Sequence, residues 1–142
     1  AMTRMIRRIS HAVCLLALLA PVSGLSQDVD CSDPVTQMEM TYCAEQDWQA
    51  ADAELNAAYG RAMAAMKQMD EDLADSPALA GAAKALRDAQ RAWIPYRDAA
   101  CAAYGFQARG GSMEPMLIYQ CRADLTGQRT RELEDLASGL GN

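Results

Sequence analysis

Few residues in this 142-residue chain can carry chemistry, and where they fall removes most reactions at once. The single histidine, His11, lies in a leader in which Arg4, Arg7 and Arg8 precede an apolar run from Ala12 to Ala20, followed by Pro21, Ser23, Gly24 and Ser26. A basic start, a short hydrophobic stretch and a small-residue exit describe a secretory signal over residues 1–26; so short an apolar run reaches only about half-way across a bilayer. Once the leader is cleaved, no imidazole remains for a Ser/His/Asp or Cys/His nucleophile or for histidine-ligated zinc. The chain therefore reads as a non-enzyme without a cofactor. Cys14 leaves with the leader, and Cys31, Cys43, Cys101 and Cys121 remain, an even set in an exported chain that predicts two disulfides. Asp28-Val29-Asp30 ahead of Cys31 lacks the small apolar residues of a lipoprotein processing site, which leaves a soluble periplasmic or secreted protein, off the membrane after cleavage.

Three further constellations remain. Met63, Met66 and Met69 form a ladder of thioethers along one helix edge, a donor set suited to Cu(I). Two of them also fall on an apolar stripe, where methionine fills irregular core space, so packing is the first expectation and a Cu(I) site the alternative. Asp70 and Asp72 lie in an acidic connection, too mobile to hold two carboxyls across a cleft as glycosidase chemistry requires. Finally, polar residues interrupt the apolar stripes: Asp52 and Asn56 beside Leu55 and Tyr59; Gln90 and Arg97 beside Trp93 and Cys101; Thr126 and Arg129 beside Leu133. Buried charge must be paired, so Arg97 or Arg129 is expected to meet Asp52 or Asp98 in a polar network that fixes helix register. A ligand pocket lined by the same groups is the alternative, but no nucleophile or proton carrier accompanies them.

The elements that position these groups are helices. Thr36-Gln-Met-Glu39 fits a capping box after Pro34, and apolar residues then recur at Met40, Cys43, Ala51, Leu55, Ala58/Tyr59, Ala62, Met66 and Met69, broken only at Asp47. One helix of roughly 50 Å follows. Asp70 to Asp75 reads as a solvated turn, and Ser76-Pro77 as the start of a second helix with Leu79, Leu86, Trp93 and Tyr104 on its stripe and a kink at Pro95. Gly105 to Gly111 is a second loop, after which Ser112 caps a third helix to about Ala137. The prediction is all-α: an antiparallel bundle of three long helices, one domain over 27–142 with its core at about 31–137. Matching the depths of the cysteines along such a bundle favours Cys31 with Cys101 and Cys43 with Cys121.

Charge narrows the partners. The chain has 19 acids and 13 bases; removal of the leader takes three of the bases and no acid, so the exported form carries net charge −9. Nucleic-acid and polyphosphate partners, which need clustered Lys and Arg, are excluded.

Four strings in order also carry a resemblance. Cys31 and Cys43 flanking the capping box, Ala51-Asp-Ala-Glu-Leu-Asn-Ala-Ala-Tyr59, Ala89-Gln-Arg-Ala-Trp-Ile-Pro-Tyr-Arg-Asp-Ala-Ala-Cys101, and Cys121 followed by Thr126-Gly-Gln-Arg129 and Leu133 resemble the LprI-type lysozyme inhibitor family. The resemblance spans Cys31 to about Leu136 and implies a small exported helical domain whose partner is lysozyme. A Cu(I)-binding protein or a structural envelope protein with another partner are the alternatives. The loop between the second and third helices offers a candidate contact, with Phe106 as an aromatic anchor, Arg109 as a forked donor for the carboxylates of a lysozyme cleft, and Ser112 at its edge; the other reading of the same residues has Phe106 folded inward to plug the bundle end and Arg109 solvated.

Overall fold

The computed structural model describes residues 28–140; the leader, with His11 and Cys14, lies outside the described residues. Three long helices, α1 (Gln37–Asp72), α2 (Ala82–Gly105) and α3 (Glu114–Ser138), account for most of it, with single 3-10 turns at Pro77–Leu79 and Phe106–Ala108 and no strand among the described residues. None of the helices is long and apolar enough to cross a membrane.

Helix α1 begins where the sequence places it. Thr36 accepts from the Glu39 amide at 3.2 Å, while the Glu39 carboxylate accepts from the Thr36 and Val35 amides at 2.8 and 2.9 Å. The other two starts differ from expectation. Ser76 and Pro77 open only the 3-10 turn, and Ser76 makes no side-chain cap. The cap of α2 comes instead from Asp70 on α1, whose carboxylate accepts from the Gly81, Ala82 and Ala83 amides at 2.7, 2.8 and 3.1 Å. Gly81 stands at φ 135°, a conformation open to glycine, so the chain reaches that carboxylate without strain. Asp70–Asp72 are thus the last turn of α1 rather than a mobile acidic loop. Helix α3 starts at Glu114 without a Ser112 cap; the Glu114 carboxylate ties back to Gly110 at 2.8 Å and Arg109 at 2.6 Å.

Each helix packs on the other two, around a core of Leu55, Ala58, Ala62, Met66, Leu86 and Leu133. Paired positions rise together along α1 and α3, from Gln37 with Met116 through Trp48 with Tyr119 to Arg61 with Glu134. Along α2 they fall, with Arg97 on Thr126 and Gln90 on Arg129. Gly105 is buried where α2 ends against α3, and a Cβ there would lie 2.6 Å from Ile118 Cγ1. Helix α2 runs through Pro95, which is exposed.

The disulfides correct one expectation. They join Cys31 to Cys43 and Cys101 to Cys121, each closing a short local segment, with Cα–Cα distances of 5.5 and 5.4 Å. Equal depth along the helices is insufficient, because the Cβ vectors must also face each other. The turn at Cys31 folds back on the second turn of α1, and the Phe106–Ala108 connection lets the end of α2 meet the start of α3.

Candidate functional site

Two regions hold the residues singled out in the sequence. The first is internal. The Arg97 guanidinium, 6 % exposed, is clamped by Asp52 Oδ1 at 3.2 Å and Asp98 Oδ1 at 3.0 Å and reaches Thr126 Oγ1 at 3.5 Å. Its planar cation lies over two indoles, 5.5 Å from the Trp48 ring centre and 5.2 Å from that of Trp93. Arg122 covers Trp48 at 4.8 Å, its Nε 3.5 Å from Asp98 Oδ1 without hydrogen-bond geometry, and Tyr119 stacks on the same indole at 5.7 Å. Asn56 hydrogen-bonds Asp52 at 3.5 Å. Two guanidinium charges thus meet two carboxylates, and the cluster is neutral.

Arg129 stands apart from it, paired instead with Gln90 at 3.0 Å and Glu132 at 2.7 Å. Trp48 is missed in the sequence because the stripe of α1 is traced through Asp47, and Arg122 and Tyr119 because the α3 stripe is not followed back from Thr126 by four and seven residues. The spacing Ala44, Trp48, Leu55 carries the same face one residue later and would have found the indole.

The thioether ladder is divided by burial. Met66 is in the core, Met63 is partly buried against it and Met69 is 42 % exposed. Among the described residues no three His, Cys, Asp or Glu side chains are grouped to hold a metal ion.

The second region is the end where the start of α1, the end of α2 and the start of α3 meet. Phe106 is 62 % exposed there, so its ring does not plug the helices. Arg109 lies over the ring at 4.7 Å while paired with Glu114, so the guanidinium predicted to be a free fork is already held. The backbone amide of Gly110, then the Arg109 guanidinium, hold the Glu114 carboxyl below its ordinary range. Beyond Ser112 the surface opens into a groove between α1 and α3 of about 550 Å³, walled by Met38, Thr41, Tyr42, Glu45, Ser112 and Pro115. Met38, in its wall, is 79 % exposed. Met38 and Tyr42, four residues apart, share a second apolar face of α1, a signal present in the sequence but outside the core stripe.

Comparison with known proteins locates the chain. The family described as "Lysozyme inhibitor LprI" matches residues 30–133, a span holding the four paired cysteines and most of the three helices. An uncharacterized protein of Rhizobium meliloti (strain 1021) is 50% identical over 129 residues, 90% of this chain and 93% of that protein. No solved structure matches.

Proposed function

The chain belongs to the LprI lysozyme inhibitor family, and from that membership we propose that it is exported and blocks a peptidoglycan-cleaving lysozyme by binding it as a protein partner. The family match over residues 30–133 is the observation that carries this reading. In it, residues 1–26 are a signal removed on export to the periplasm or medium, and residues 27–142 work as one unit. The rise of paired positions along α1 and α3 and their fall along α2 support an antiparallel up-down-up bundle stapled by the two disulfides. The Arg97 cluster serves that bundle as a register pin, its charges balanced internally across the three helices.

The inhibitory contact in this reading includes the loop at Gly105 to Ser112. Phe106 offers an exposed ring, and the Arg109–Glu114 pair holds that ring's neighbours in place before binding, which lowers the ordering cost. The test uses the full chain exported by a bacterial host, purified, and mixed with c-, g- and i-type lysozymes in a cell-wall lysis assay. Inhibition of at least one class is expected; no inhibition of any class overturns the proposal. Within an inhibited class, replacing Phe106 and Arg109 by Ala together should weaken inhibition at least tenfold, about 1.4 kcal/mol, at unchanged helicity.

A further inference from the structure

We propose that the groove between α1 and the start of α3 is where a cationic side chain of the lysozyme docks; this rests on the lysozyme reading above and names the surface that performs it. Three observations carry it. The first is an apolar surface left uncovered by the fold: Met38 and Tyr42 form one wall, Ser112 and Pro115 the other, and both Met38 and Tyr42 are exposed.

The second is charge. From Asp28 to Gly60 the chain carries eight acids, Asp28, Asp30, Asp33, Glu39, Glu45, Asp47, Asp52 and Glu54, and no lysine or arginine. A second hollow shares the Met38 and Tyr42 wall and is lined by Asp28, Asp30 and Glu39. Among the described residues neither hollow has a base in its lining.

The third is which acids are uncommitted. Glu39 is used by the cap of α1 and Asp30 by Ser32, whereas Glu45 forms no ion pair among the described residues. An apolar slot with a carboxylate at its end suits a lysine or arginine: the aliphatic stem lies on Met38 and the Tyr42 ring, and the cation reaches Glu45. A second copy of this chain is the poorer occupant, since it would bring the same eight acids against themselves. Ser112 belongs both to this groove and to the Phe106 loop, so the two contacts form one continuous face.

The experiment uses the exported full chain against a lysozyme class that the unaltered protein inhibits. Glu45→Lys, and separately Met38→Ala with Tyr42→Ala, should each raise the inhibition constant at least tenfold while circular dichroism and melting temperature stay as in the parent. As a readout that does not depend on those variants folding, Tyr42→benzoylphenylalanine should photocrosslink to lysozyme. Folded variants that inhibit like the parent, or a crosslink that forms only to a second copy, overturn the groove and leave the lysozyme reading standing. Failure of the unaltered protein to inhibit any class removes that reading, and the groove proposal with it.

Discussion

Arg97 brings a full charge into the middle of the protein, and its surroundings set what that costs. The two carboxylates that hold it are each 42 % exposed, so water can reach their outer oxygens, while the arginine side chain itself is buried against Trp48 and Trp93. Truncating the arginine would leave partly hydrated carboxylates rather than a stranded buried charge, so the loss is mainly the cation packed against two rings. Arg97→Ala is therefore expected to cost about 2–4 kcal/mol, somewhat below the cost of breaking a fully buried pair. Chemical denaturation followed by tryptophan fluorescence measures it; a variant as stable as the parent would show that the pin is dispensable. Arg97→Lys should recover only part, because an ammonium cannot stack flat against indoles while bridging two carboxylates. Much of this cluster was legible beforehand, since Asp52, Arg97 and Thr126 interrupt apolar stripes and charge on a buried stripe demands a partner. The choice of partner was not. Arg129 has the same pattern but meets Gln90 and Glu132, and that depends on how far α3 is rotated against α2, a quantity no single stripe contains.

At the scale of the elements, carboxylates fasten all three helix starts: Glu39 within the box of α1, Asp70 across to α2, and Glu114 back to the loop before α3. Each is held below its ordinary range, chiefly by backbone amides donating to the ionised form: Thr36 to Glu39, Gly81 to Asp70 and Gly110 to Glu114. A carboxyl whose folded pKa is lowered contributes stability that is complete above its unfolded pKa, about 4, and is lost as pH falls through the lower folded value. The melting temperature should thus hold from pH 7 to about 5 and drop below about 4. Asp70→Ala should melt lower than the parent at neutral pH, Asp70→Asn should fall between them, and the gap for Ala should narrow as pH approaches 2 in thermal melts. A gap that stays constant with pH would mean the charge of Asp70 is unimportant. The disulfides act on the same elements. Losing Cys101–Cys121 should cost about 2–4 kcal/mol, because that bridge closes the connection from α2 to α3. Losing Cys31–Cys43 should leave helicity unchanged, because it tethers only the segment before α1. Paired single-bridge variants followed by circular dichroism distinguish the two. The three helices and the start of α1 were readable because period and capping box are local signals. The start of α2 was misread for the complementary reason: Ser76-Pro77 is a local signal, whereas the true cap lies eleven to thirteen residues upstream on another helix.

Over the whole molecule the charge is uneven as well as negative. The first base of the described chain is Arg61, so the half of α1 nearest the disulfides is purely acidic, while on α2 and α3 Lys84, Arg97, Arg122 and Arg129 are paired with acids. A field of one sign at one end turns an approaching cationic protein towards that end before contact, and such steering acts on the association rate. Salt shortens its reach, from about 30 Å at 0.01 M to about 8 Å at 0.15 M. Binding to a basic lysozyme, measured by stopped-flow or surface plasmon resonance, should therefore slow in association by tenfold or more between those ionic strengths. Dissociation should change much less, since the apolar groove and Phe106 are insensitive to screening. Neutralising Asp28, Asp30 and Asp33 together, none of which is required by the core, should reproduce the high-salt association rate at low salt without lowering the melting temperature appreciably. An association rate indifferent to both salt and these three residues would mean that the acidic end plays no part in finding the partner.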